Sequence, residues 1–161
     1  MTAIGQVKGA LLKALTDAGI DAREAFGEKE FRALCAPLAA LGVHEAKITR
    51  AGFLDYLGES YDEVRGTVER YAKAMDLTLS LDLFASDEAG CTALGEACAS
   101  ALSLCRGVRV ESITLGACEW DRRVGAMHRG GSISCKATFI AEAAEDETLV
   151  QDFILKGTVN Q

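Results

Sequence analysis

Residues 74–83 read AMDLTLSLDL and carry the clearest secondary-structure pattern in the chain. Met75, Leu77, Leu79, Leu81 and Leu83 alternate without a break with small or polar neighbours. Because successive side chains of a strand point to opposite faces of its sheet, the alternation predicts a strand with one buried and one solvated face.

Two amphipathic helices are predicted, one before and one after this strand. The first follows helical spacing through Ile4, Val7, Leu11, Leu12 and Leu15 and ends at Gly19, with Ile20 packing back on the last turn. The second is capped by Ser86 or Asp87 and runs to about Cys105. Its predicted buried stripe consists of Cys91, Leu94, Gly95, Cys98, Ala101, Leu102 and Cys105.

The remaining segments predict further strands and turns. Pro37 opens a strand in APLAALGVHEAKIT, and residues 52–70 form a long hairpin with its tip in DEVRGTVE. VRVESITLGACEWD predicts a strand with a bulge between Val110 and Ile113. Residues 21–32 are interpreted as a connection and residues 122–131 as a loop. A return strand follows through Ile133, Cys135, Ala137 and Phe139, and then an acidic turn and a short terminal strand.

This order predicts an α+β fold, an antiparallel sheet with two main helices packed on one face, plus the long hairpin. The chain of 161 residues is interpreted as one domain, 1–161, with an extended hairpin at 52–70 and a C-terminal arm at 141–161.

The net charge argues against two classes of partner. Lys and Arg number 17 against 24 Asp and Glu, a formal charge of −7. Duplex DNA and anionic membranes both bind basic surfaces, so neither is expected as the main partner. No apolar run is long enough to span a membrane, and the first residues do not resemble a secretion signal. Assembly in the cytoplasm is expected.

The cysteines do not indicate catalysis or metal binding. The six are expected to be reduced thiols, and the three at positions 91, 98 and 105 to pack as small apolar side chains. No Cys-x-x-Cys occurs, so no metal site is predicted. The one conceivable dyad pairs Cys135 with His128, but no oxyanion-hole or nucleophile-elbow motif accompanies it. We therefore expect no enzyme activity, no catalytic residue and no cofactor.

Two neighbouring segments have opposite charge. Arg122, Arg123 and Arg129 lie in a basic segment, and Glu145, Asp146 and Glu147 lie in an acidic one. Opposite patches on one molecule suit a head-to-tail contact between copies, which closes into a ring when the rotation permits. The alternative interpretation is that both segments are solvated loops.

Several sequence segments resemble those of the tail terminator, or tail-completion, proteins of bacteriophages and phage-tail-like particles. They are EFRALCAPLAALGV, RYAKAMDLTLSLDLFAS with the helix after it, and VESITLGACEWDRRVGAMHRGGSISCKATFIAEA. GFLDYLGESYDE and EDETLVQDFILKG are similar to segments of small proteins encoded near sheath and tube genes in prophages of Gram-positive bacteria. The long hairpin and the acidic arm are additional to the minimal fold of a tail terminator.

The resemblance implies a structural protein of the virion tail, assembled in the host bacterial cytoplasm. It implies a homo-hexameric ring that caps the tail tube, ends its polymerisation and joins the tail to head-completion or neck proteins. In contractile tails such a ring also contacts the sheath, and DNA only passes through the lumen. We expect Arg122, Arg123 and Arg129 to contact residues 145–147 of the next subunit.

The tube or partner contact is expected at Phe53, Asp55, Tyr56 and Tyr61. The alternatives are a neck, connector or baseplate subunit of the same particle, or a small cytosolic thiol enzyme.

Overall fold

The computed structural model describes residues 2–25, 37–52 and 55–144, and the backbone of residues 152–156. The elements follow one another as α1 (Ala3–Asp17), β1 (Ala22–Glu24), β2 (Leu38–Arg50), β3 (Tyr56–Asp62), β4 (Gly66–Ala85), α2 (Glu88–Ser103), β5 (Arg109–Asp121), β6 (Ala126–Ala144) and β7 (Asp152–Lys156). The predicted α+β class is confirmed.

All seven strands belong to one sheet built around the ladder between β4 and β6. This ladder runs from the pair Val68 and Ala144 to the pair Ala85 and Met127. The other edge of β4 pairs with β3 over residues 66–71 and with β2 over residues 73–84. The other edge of β6 pairs with β5 over residues 126–136 and with β7 over residues 138–142. The expectation of a purely antiparallel sheet is wrong in one place, because β1 pairs with β2 in parallel. Three residues are too few to show a strand pattern.

The ends of α1 follow from local chemistry. The Thr2 hydroxyl accepts a hydrogen bond from the Gly5 N–H at 3.1 Å, which caps the first turn. At the other end the Ile20 N–H donates to the Leu15 carbonyl at 3.0 Å and the Gly19 N–H to the Thr16 carbonyl at 2.9 Å. Gly19 has φ +81°. This is the predicted Schellman ending.

The core lies between one face of the sheet and both helices. The alternating leucines of β4 and Met75 are at most 1% exposed, as predicted. They pack with Val7, Leu11 and Leu15 of α1 and with Cys91, Cys98 and Leu102 of α2. Asp87 caps α2 by accepting from the Gly90 N–H at 2.6 Å. Both helices therefore pack on one face, and the cysteine stripe of α2 is part of the core.

The hairpin is longer than its sequence pattern indicates. β3 and β4 meet at a turn over residues 63–65, where the tip was predicted. β4 then continues for 20 residues, so the second arm of the hairpin and the alternating strand are one element. From Gly66 to Ala74 the strand lacks the apolar alternation, although Val68 is 1% exposed and Tyr71 packs against the core.

The expected loop at residues 122–131 is wrong. Only residues 122–125 form the turn, and β6 begins at Ala126. The segment MHRGGS has no apolar alternation, but β4 and β5 flank it on both sides and satisfy its backbone groups. Gly131 permits this fit, because a Cβ there would lie 2.4 Å from the Thr114 carbonyl oxygen.

Three other expectations concern the connection at residues 21–32, the bulge in β5 and the terminal strand. The expected connection at residues 21–32 contains β1, and its residues 26–32 lie outside the described part of the chain. The bulge near Val110 is confirmed, and β5 has a second, unpredicted register shift between Leu115 and Cys118. The short terminal strand is confirmed as β7, which pairs with β6.

Candidate functional site

Four large apolar or aromatic side chains are exposed on the β3–β4 hairpin, and we call them the hairpin surface: Tyr56, Leu57, Tyr61 and Val64. Tyr61 is 79% exposed and Val64 is 93% exposed. Tyr56 and Tyr61 lie on the same face, because their partners Tyr71 and Thr67 are four residues apart on β4. Single exposed apolar residues are ordinary, whereas several on one hairpin are typical of an interaction site.

The tip of the hairpin is held by one carboxylate. Asp62 Oδ1 accepts the N–H groups of Val64 at 2.8 Å and of Arg65 at 2.9 Å. These two bonds, the one from Arg65 first, lower the pKa of Asp62 below 3.8. Gly66 follows with φ +77°. The turn thus presents Val64 in a fixed conformation.

The hairpin is tied to β6 by an ion pair at its inner side. Arg65 Nη2 lies 2.8 Å from Glu142 Oε2, and Glu142 is only 8% exposed. The hydrogen bond from Arg65 to Glu142 raises the pKa of the Arg65 guanidinium. Arg70 Nε lies 3.8 Å from the other Glu142 oxygen. The hairpin is therefore braced against the sheet.

The residues predicted to contact the tube have different environments. Tyr56 and Tyr61 are exposed, and Phe53 lies outside the described residues. Asp55 forms an ion pair with Lys73, which lowers the pKa of the carboxyl group and leaves its side chain 18% exposed. Asp55 therefore stabilises the base of the hairpin. Leu57 and Val64, which were not predicted as contacts, complete the hairpin surface.

The basic residues do not form one patch. Arg122 and Arg123 are exposed at the turn between β5 and β6, and the Arg123 N–H donates to Asp121 at 2.9 Å. Arg129 lies on the helix side of the sheet, where its Nε donates to the Gly116 carbonyl at 2.8 Å. Arg129 therefore makes a contact within its own subunit, and its predicted contact with a neighbouring copy stays a prediction. Glu145, Asp146 and Glu147 lie outside the described residues.

The face of the sheet opposite the helices is rich in hydroxyl groups. Two rows cross β4, β6 and β5, one formed by Ser80, Ser132 and Thr114 and the other by Thr78, Ser134 and Ser112. We call these rows the hydroxyl face. Both helices pack on the other side of the sheet. On the same face as the rows, Leu38, Phe84 and Ile140 are at most 2% exposed, and the row residues of β4 and β6 are half-buried. The solvated face that the alternation of β4 predicts is therefore found only in part, since Asp76 is exposed, Thr78 and Ser80 are half-buried and Phe84 is buried.

His128 takes part in a contact that the sequence does not indicate. Its Nε2 lies 2.8 Å from Asp82 Oδ1, and its ring stacks on Phe84 at 4.9 Å between centroids. Cys135 is seven positions further along β6, about 23 Å away by strand rise, and points to the other face. The dyad considered from the sequence is therefore not formed.

The described cysteines are free thiols: Cys91, Cys98, Cys105, Cys118 and Cys135. Burial raises the pKa of the thiols of Cys91, Cys98 and Cys135 to about 11. Within the described residues no three His, Cys, Asp or Glu side chains lie close enough to hold a metal ion. None of the described helices has the length and apolar character that crossing a membrane requires.

Comparison of the chain with protein-family models and with curated proteins finds no match.

Proposed function

We propose that the chain is a structural subunit of a bacteriophage tail or phage-tail-like particle. In this proposal six copies form a ring on the end of the tail tube, stop further tube subunits from adding and offer a surface to head-completion proteins. The resemblance in sequence supplies the class of protein. The observation that carries the proposal is the exposed and braced hairpin surface, of which Tyr61 is 79% and Val64 93% exposed.

The hairpin surface has the properties of a docking element. Its tip is fixed by the two backbone hydrogen bonds to Asp62, and its inner side is fixed by the Arg65–Glu142 ion pair. A surface that is ordered before binding loses little conformational entropy on binding. Two tyrosines beside aliphatic side chains are a common composition for the centre of a protein interface. We assign this surface to the tube.

The hydroxyl face suits the wall of a channel for DNA. Within β4, β6 and β5 its two rows carry only hydroxyl groups, while the next row on the same face carries Asp76, Lys136 and Arg109; the chain as a whole has a formal charge of −7. Phosphate groups bind where Lys and Arg replace their counterions. A wall without cations in its central rows would let DNA slide past, so we place the hydroxyl face toward the lumen.

Arg122 and Arg123 remain the basic part of the proposed contact between subunits. They are exposed at the end of the sheet, and we pair them with Glu145, Asp146 and Glu147 of the next copy. Such a contact joins two different surfaces and therefore repeats around a ring. Arg129 is left out of it because it lies on the helix side of the sheet and not at the turn that carries Arg122 and Arg123.

A variant of the hairpin surface tests the proposal. Tyr61→Ser combined with Val64→Ser removes the two most exposed apolar groups of the hairpin, and Leu104→Ser is the matched control, since Leu104 is 81% exposed after α2. Purified proteins are mixed with tubes assembled from the tube protein of the same particle and imaged by negative stain. The wild type and the control should decorate one tube end, and the double variant should not.

Equal decoration by all three proteins would contradict the docking role of the hairpin. Binding to head or neck particles with no binding to tube ends would assign the chain to the neck instead.

A further inference from the structure

Helix α2 lies unusually close to the sheet near its middle. A Cβ built on Gly95 would lie 3.1 Å from Leu115 Cδ1 and 3.3 Å from Arg129 Nη1. One turn earlier, the Sγ of Cys91 lies 3.8 Å from the Leu83 carbonyl oxygen and 3.9 Å from the Met127 carbonyl oxygen. The thiol of Cys91 therefore contacts the backbone of β4 and β6.

Cys118, on β5, lies in the same region between α2 and the sheet as Cys91. The register shift after Leu115 brings Cys118 opposite Arg129, and Arg129 is in turn opposite Leu83 on β4. Paired residues of antiparallel strands share a face, so Cys118 points to the helix side of the sheet. The hydrogen bond from Arg129 Nε to the Gly116 carbonyl holds this bulge. Leu83, Arg129 and Cys118 form one row, and Cys91 lies above it.

The electrostatics of Cys91 reflect this neighbourhood. Burial first, and then a hydrogen bond with Cys118, raise the pKa of Cys91 to about 11, while Arg129 acts in the opposite direction. Cys98 differs, because burial alone raises the pKa of its thiol. Among the three cysteines of the α2 stripe, Cys91 is the one placed beside a cysteine of β5.

We propose that Cys91 and Cys118 are a redox-sensitive thiol pair, which hydrogen peroxide converts into a disulfide that joins α2 to β5. Cys118 is half-buried and Cys91 fully buried, so peroxide reaches Cys118 first. The sulfur of Cys118 attacks one peroxide oxygen, the O–O bond breaks, and a sulfenic acid and one water are formed. The sulfur of Cys91 then attacks Cys118, the S–O bond breaks, and a second water leaves.

Peptide mapping of the oxidised protein tests this pairing. The folded, reduced chain is treated with hydrogen peroxide, its remaining thiols are alkylated in denaturant, and the chain is cleaved after glutamate. Cleavage isolates Cys91 in residues 89–96 and Cys118 in residues 112–119, apart from every other cysteine. The expected product is these two peptides joined by a disulfide, with an intact mass lower by two hydrogen atoms.

Two variants separate the proposed pair from unspecific oxidation. Cys98→Ser, on the same helix, should still form the linked peptides, and Cys118→Ser should not form them. The disulfide should raise the unfolding temperature of the wild type by roughly 5 °C or more, because it restricts the unfolded chain. Thermal unfolding of the reduced variants checks that they fold.

Other products would overturn the proposal. A disulfide that joins Cys118 to any cysteine other than Cys91 would contradict the pairing. Cys118 recovered as a sulfenic or higher acid beside an alkylated Cys91 would show that the two sulfurs do not meet.

Discussion

Asp62 decides the shape of the hairpin tip, because one of its oxygens accepts two successive backbone N–H groups. An ionised carboxylate accepts these bonds more strongly than a neutral side chain does. The folded-state pKa of Asp62 is therefore lowered from 3.8. A group of this kind stabilises the fold above its unfolded pKa, and the contribution disappears as the pH falls through the folded pKa.

Asp62→Asn should be less stable than the wild type at pH 7. The difference should shrink as the pH falls below 3.8, since Asp62 then becomes neutral in both the folded and the unfolded wild type. Urea unfolding of both proteins between pH 2 and 7 measures it. A difference that stays constant over this range would contradict the charge-based role of Asp62.

Gly66 is required by its backbone conformation rather than by space. Its φ is +77°, and a Cβ there would meet no atom within 4 Å. Gly66→Ala should therefore destabilise the chain by about 1–2 kcal/mol, the cost of a left-handed conformation for a residue with a Cβ. Gly9→Ala is the control of opposite sign, because open space inside α1 should give a gain of about 0.5–1 kcal/mol. Equal effects in chemical denaturation would refute the conformational explanation.

At the scale of elements, β4 is the strand on which the fold depends. It pairs with β2, β3 and β6, and its side chains on the helix side of the sheet form the sheet's part of the core. Leu79→Ala should cost about 2–5 kcal/mol because Leu79 is fully buried, and Thr78→Ala, on the hydroxyl face, should cost about 0.5 kcal/mol or less. Urea unfolding compares the two. Similar losses would mean that something covers the hydroxyl face.

Elements with a regular apolar pattern could be predicted, and elements defined by their neighbours could not. The helices and the inner face of β4 follow from periodicity. Burial on one side places an apolar residue at every second position of a strand and at every third to fourth position of a helix. The first six residues of β6 lack an apolar alternation, and they form a strand because both of their edges are paired. β1 could not be predicted either, because three residues are too few to show an apolar alternation.

The candidate site was predicted in part for the same reason. The sequence analysis places the expected tube contact on the hairpin of residues 52–70, and Tyr56 and Tyr61 are exposed there. The internal roles of Asp55 and Arg129 depend on Lys73 and Gly116, which are distant in sequence. Such pairings follow from strand register, and the charge pattern alone does not contain that information.

At the scale of the whole molecule, the ring proposal rests on complementary charge between copies. Arg122→Glu combined with Arg123→Glu should prevent ring formation and leave the monomer folded, because both side chains are exposed. The control is Lys13→Glu with Arg106→Glu, an equal charge change beside the cleft between the helices. Analytical ultracentrifugation with circular dichroism distinguishes the two. An intact ring in the first variant would remove the electrostatic contact from the proposal.

The most direct measurement of the proposed function is the mass of the wild-type protein by light scattering, alone and after mixing with assembled tail tubes, followed by imaging of the tubes. We expect a ring of six copies, either free or confined to one end of each tube. A protein that stays monomeric in both samples and leaves both tube ends undecorated would contradict it.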